Sequence, residues 1–189
     1  GLPPSMVEVP AVVLEGSING SVWEEIPFRY APFVEERAPR RTAPHQPRLD
    51  WQLWFAALGH YQHNPWLLHL MYRITTRIPS NDAALQLLDV DAYPFREKPP
   101  AFVRAWLYHY DFTRAPSRWA RSIPGTELCG SDCTKYWKRT RIKEYVPKVD
   151  STLLRMQVVE PQQWPVDPEA PPQSTANRLR RFIGITYGD

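Results

Sequence analysis

Cys129 and Cys133 are the two cysteines of the chain, with Gly130, Ser131 and Asp132 between them, so sulfur chemistry is the first to weigh. The spacing is C-x-x-x-C, one residue longer than the oxidoreductase C-x-x-C. A redox pair needs a thiolate held by a helix N-terminus or a nearby cation, and Lys135 is the only cation close in sequence. An even count permits a structural disulfide pinning a short loop, with modest entropic gain. Thiol exchange and free thiols stand beside it as alternatives.

Histidines come next. His60, His63 and His69, with His45 nearby, lack the cysteine or carboxylate partners at short regular spacing that zinc sites use. They read as surface or capping residues, and no metal is expected. Lys135, Lys138, Arg139, Arg141 and Lys143 interleave with Tyr136, Trp137 and Tyr145, a mixture that suits single-stranded nucleic acid. A net charge of only +3 argues against that partner, and the run reads as a solvated strand face. No G-x-S-x-G elbow, H-E-x-x-H or glycine-rich phosphate loop occurs, which leaves no positive reason to propose an enzyme or a cofactor. Asn19-Gly20-Ser21 is both a glycosylation sequon and a hairpin-turn sequence.

The elements that must position these residues can be read from periodicity. Residues 43–59 run APHQPRLDWQLWFAALG. Pro44 and Pro47 hold the approach extended, and Asp50 fits as the N-cap of a helix, with Leu49 and Trp54 as a hydrophobic staple. Trp51, Trp54, Phe55 and Leu58 follow at i, i+3, i+4, i+7, the spacing of one buried face. A second helix starts with Asn64 as cap and Pro65 at its first position, with Leu67, Leu70, Met71 and Ile74 as its apolar stripe. A third is expected after the capping types Ser80, Asn81 and Asp82. Residues 7–14 and 22–30 read as strands around the Asn-Gly turn, with Ile26, Phe28 and Tyr30 on one face; Pro10 and Pro27 push both toward edges or bulges. Residues 102–112 alternate with apolar side chains on both faces, and a fourth strand covers 136–145.

These patterns predict an α+β fold: an antiparallel sheet of about four strands (7–14, 22–30, 102–112, 136–145) packed with about three short helices (51–58, 65–75, 82–88). The 189 residues include 21 prolines, roughly twice the usual share of about 5%, which disfavours long helices. Residues 1–150 are expected to form one domain. Residues 151–189 are expected to be a Pro-rich linker or tail, with 178–187 a short docked segment or a juxtamembrane remnant. The apolar stretch 51–72 is broken by Gly59, His60, Gln62, His63, Asn64 and Pro65, so it predicts two helices and no membrane span.

The same words carry a resemblance. APHQPRLDWQLWFAALG, VVLEGSINGSVWEEIPFRYAP, HNPWLLHL, YPFREKPPAFVRAWLYHYDF and YWKRTRIKEYVPKV together resemble the C-terminal domain of the lipase maturation factors, with wording closer to the second paralogue group. In the last segment Tyr136 precedes Trp137 where the family pattern has paired tryptophans. The resemblance implies a non-enzymatic domain in the lumen of the endoplasmic reticulum, belonging to a membrane protein whose spans lie upstream. It implies assistance to folding or dimer assembly of secreted clients such as lipases. That compartment favours a Cys129–Cys133 disulfide and a glycan on Asn19. Arg48, Asp50, Trp51 and Trp54 are expected to act structurally within the motif, with partner contact as a secondary role. The alternatives are a thiol–disulfide exchange factor using Cys129 and Cys133, and a scaffold for the membrane portion.

Overall fold

The computed structural model describes residues 9–31, 34–38, 40, 48–112 and 135–159. Its centre is an antiparallel sheet of β1 (Val9–Ser17), β2 (Glu24–Glu25), β3 (Phe102–Phe112) and β4 (Trp137–Asp150), in the order β2-β1-β3-β4. β1 and β3 pair without interruption from Val9↔Tyr110 to Ser17↔Phe102, so two alternating sequences far apart in the chain form the middle of the sheet. β2 pairs only at Glu15↔Glu25 and Gly16↔Glu24. Pro10 therefore sits where β1 has a single described neighbour, and its missing N–H breaks no ladder.

β4 runs to Asp150, further than the periodicity predicts, because the register slips between Val103 and Ala105, Ala105 and Trp106, and Leu107 and Tyr108. Pro147 falls in the first of these irregularities, as a proline on an edge strand should. The slips let both Tyr145 and Val146 reach the core, which strict alternation forbids.

α1 (Arg48–Ala57) and α2 (Pro65–Thr76), joined by a single 3-10 turn Tyr61–His63, cover one sheet face. The core between them contains Val12, Leu14, Val103, Ala105 and Leu107 from the sheet and Leu53, Ala56, Leu67, Met71 and Ile74 from the helices. α2 buries the predicted stripe. Asn64 does occupy the cap position, but its side chain makes no cap bond; its Nδ2 donates to the His60 carbonyl at 3.0 Å.

Two predicted elements are shorter than their patterns. The strand expected over 22–30 narrows to Glu24–Glu25, after which Ile26 and Phe28 stay fully buried while Tyr30 emerges into solvent. Pro27 ends the ladder, and its carbonyl instead accepts from Asp89 N. The helix expected over 82–88 is a turn with one 3-10 segment, Leu85–Leu87. Asp82 explains it: Oδ1 accepts from Ala84 N and Leu85 N, while Oδ2 pairs with Arg73 of α2 at 2.7 Å. The buried carboxylate is held by α2, so the chain turns around it. Beyond β4, α3 (Ser151–Leu154) starts with Asp150 accepting from Leu153 N, and it docks Leu154 against the core next to α2.

Gly16 is required by closeness. A Cβ there would come within 2.6 Å of the Phe95 ring, so β1 can pass under Phe95 only without a side chain.

Candidate functional site

The residue types singled out on α1 come together on one helix, but not with the predicted orientation. Leu53 is 2% exposed and Ala56 fully buried, with Leu49 and Ala57 packed beside them. Trp51, Phe55 and Leu58 are 40%, 48% and 56% exposed. The expected buried face is thus the outer one, and Trp54 is half-buried between the two. Both stripes satisfy a helical period, so spacing alone does not choose. Packing chooses: α1 lies against β1, and the small Ala56 and Ala57 admit that approach where indole and phenyl rings would hold the helix away. Tyr145 OH donates to the Ala56 carbonyl and fixes the end of α1 to β4.

Asp50 is corrected in the same way. The helix starts at Arg48, so Asp50 lies within the first turn, and Leu49, expected before the cap as half of a staple, is itself helical and packs against the core. Asp50 Oδ1 accepts from Tyr30 N at 2.8 Å and Ala31 N at 3.1 Å, tying the segment after β2 to α1. Burial pushes its carboxyl above the usual range, against the pull of those two N–H groups and of Arg29. The side chain of Arg48 lies outside the described residues.

The exposed face of α1 is a continuous aromatic surface. The Trp51 and Phe55 rings lie 5.4 Å apart and Trp54 and Phe55 5.7 Å apart, both tilted. Trp54 keeps its Nε1 buried and without a partner among the described residues.

The opposite face of the sheet carries a second constellation. Glu15, 4% exposed, accepts from Arg104 Nε at 2.7 Å, Arg141 Nη2 at 3.0 Å and Trp106 Nε1 at 3.1 Å. Arg104 lies over Trp23 (4.0 Å) and Trp106 (5.3 Å); Arg141 lies over Trp106 (4.5 Å) and Tyr108 (5.6 Å); Arg139 lies over Tyr108 (5.2 Å) and pairs with Glu25. Guanidinium and ring therefore alternate on β3 and β4, with Trp23 just before β2, around buried or half-buried carboxylates. Arg139 and Arg141 are thereby committed to the fold. Lys135 likewise pairs with Glu35 at 2.6 Å and holds that carboxyl below its usual range, against a smaller effect of burial. Sequence reasoning missed Glu15, Trp23 and Arg104. Glu15 and Arg104 are register partners, a signal that exists only once the pairing of β1 with β3 is known.

His60 and His63 are exposed in the turn between α1 and α2. His69 on α2 stacks on Tyr72, and burial, with Arg73 next in effect, lowers its pKa to about 4. Among the described residues no three His, Cys, Asp or Glu side chains form a group able to hold a metal. Asn19 is exposed just past β1; its Oδ1 accepts from Ser21 N and Val22 N, and Gly20 takes φ +78°. Its amide nitrogen makes no hydrogen bond among the described residues. Cys129 and Cys133, and His45, lie outside the described residues.

The site is thus an α1 motif with an outward aromatic face on a four-stranded sheet ordered β2-β1-β3-β4. The model of the lipase maturation factor C-terminal domain matches residues 1–147. The chain belongs to the lipase maturation factor family. It is 39% identical over 142 residues to lipase maturation factor 2 of Gallus gallus, covering 74% of this chain and 18% of that protein. It is 38% identical over 181 residues to lipase maturation factor 2 of Mus musculus, covering 92% and 23%. With lipase maturation factor 1 of Bos taurus the identity is 34% over 161 residues, covering 82% and 26%. The chain thus spans about a fifth to a quarter of the length of these relatives, and its wording stands nearer the second group. No solved structure matches significantly. Among the described residues no helix is long and apolar enough to cross a membrane.

Proposed function

We propose that this lipase maturation factor domain is a non-catalytic client-binding module. It faces the lumen of the endoplasmic reticulum and is held there by membrane spans elsewhere in the longer protein. It assists folding or dimer assembly of secreted proteins such as lipases by transient contact with their incompletely covered apolar surface. The observation that carries this reading is the outward face of α1. Trp51 and Phe55 are exposed on a helix, and Leu58 just past its end, with Leu53, Ala56, Asp50 and Tyr145 anchoring it from behind, so an apolar patch is presented on a rigid support. The unit that does this is residues 1–150 with α3 docked behind it, the rest serving as linker. Within it Cys129 and Cys133 form a structural disulfide and Asn19 carries a glycan; no cofactor takes part.

A photo-crosslinking residue placed at Phe55 of the intact protein, in cells making a secreted lipase, tests the contact. The lipase should be captured from Phe55 and not from the exposed Gln86 on the connecting turn. Equal capture from both positions, or from neither, contradicts the assignment of the surface.

A further inference from the structure

Trp51-Gln52-Leu53-Trp54 is a Trp-x-x-Trp sequence, the pattern whose first tryptophan is a substrate for C-linked mannosylation in the secretory lumen. We propose that Trp51 is such a modification site. This inference rests on the luminal location given above. In the reaction the indole C2 of Trp51 attacks C1 of a mannose carried on a polyprenyl phosphate. The bond from C1 to the phosphate oxygen breaks, the phosphate leaves with the electron pair, and the C2 proton is lost to restore the indole. No oxidant or reductant is needed.

The fold distinguishes the two tryptophans as that reaction requires. Trp51 is the one described tryptophan among the exposed large hydrophobic residues, so its ring is the one most open to a bulky substituent. Trp54 has its Nε1 buried, and C2 is the neighbouring ring atom, so a sugar there would have to displace the atoms that cover that edge of the ring. The other described indoles offer less room, and Trp137 packs, partly buried, against the cluster of Val13, Tyr108 and Tyr110. Trp106 Nε1 donates to Glu15 and Trp66 Nε1 to Asn64, while Trp23 lies under Arg104. The position the pattern marks is therefore the one the folded domain tolerates. The Trp51 ring lies 5.4 Å from that of Phe55, so a mannose on Trp51 adds hydroxyl groups at one end of the exposed apolar stripe.

The test uses the intact protein purified from a vertebrate secretory cell line, with its side of the membrane established separately by protease protection of sealed microsomes. Trypsin releases residues 49–73 as one peptide, between Arg48 and Arg73. The expected result is one added hexose located by fragmentation on Trp51, resistant to peptide N-glycosidase and to base elimination, and absent from Trp51→Phe. A luminal protein whose Trp51 is bare overturns this inference while the luminal reading stands. A hexose on Trp54 overturns the structural argument. A protease-accessible cytosolic domain overturns the location and this inference with it.

Discussion

Replacing Asp50 separates a hydrogen-bond acceptor from a charge. Its Oδ1 takes the N–H groups of Tyr30 and Ala31, and Asp50→Ala leaves both without that partner. Hydrogen bonds to a charged group are worth about 1.5–3 kcal/mol each when shielded. The Tyr30 bond is exposed and counts for little, whereas the Ala31 bond is partly buried, so the expected loss is about 2 kcal/mol. That corresponds to a fall in melting temperature of roughly 4–8 °C for a domain of this size. Asp50→Asn keeps an acceptor oxygen and removes the desolvated charge, so its loss should be under about 0.5 kcal/mol at neutral pH, if any.

The pH dependence has a definite sign. Because burial raises the Asp50 pKa, the native protein binds this proton more tightly than the unfolded chain does. The stability linked to that proton is fully present below the unfolded carboxylate pKa of about 4, and it is lost as pH rises through the higher folded value. The stability of Asp50→Asn relative to the wild type should therefore increase with pH across that window and then level off. Denaturant melts of the three proteins from acid to neutral pH measure both effects. An unchanged midpoint for Asp50→Ala, or an Asn variant that loses ground as pH rises, refutes the reasoning.

The rotated face of α1 predicts that Leu53→Ala costs about 2–5 kcal/mol while Phe55→Ala costs under about 1 kcal/mol, because Leu53 is buried and Phe55 is half open to solvent; denaturant midpoints reversed in order would restore the orientation expected from spacing. Glu15→Gln should destabilise by about 2 kcal/mol, since it leaves Arg104 and Arg141 facing a neutral group, with the cost moderated by the 47% exposure of the Arg141 side chain; a guanidinium chloride midpoint within error of wild type would show that the lattice contributes nothing. Tyr93 OH is buried without a partner among the described residues, so Tyr93→Phe should gain about 1 kcal/mol by removing an unsatisfied hydroxyl, and thermal melts showing a loss would indicate a partner for it.

How much of this was legible in the sequence depends on which physical rule governs each element. β1, β3 and α2 were readable because pattern and burial agree: Leu67, Leu70, Met71 and Ile74 are the stripe and the core alike. α1 was readable as a helix but not in orientation, since Leu53 and Ala56 share a period with Leu49 just as Phe55 and Leu58 do with Trp51, and only the closeness of β1 separates small residues from large. Residues 82–88 follow the capping types Ser80, Asn81 and Asp82, which serve a turn as well as a helix, and the ion pair of Asp82 with Arg73 decides between them. The Glu15 lattice depends on pairing across 89 residues of chain between Glu15 and Arg104, which no local pattern encodes. The far end of β4 was missed because its bulges break alternation.

On the proposed reading, the outward face of α1 works on clients and does not hold the fold together. The measurement is Phe55→Gln with Leu58→Gln in the intact protein, read as specific activity of a secreted client lipase per folded molecule of the maturation factor, alongside the unfolding midpoint. The account predicts a midpoint within about 1 kcal/mol of wild type and loss of most of the maturation activity. Full maturation activity at an unchanged midpoint, or activity that falls only in step with the amount of folded protein, would contradict it.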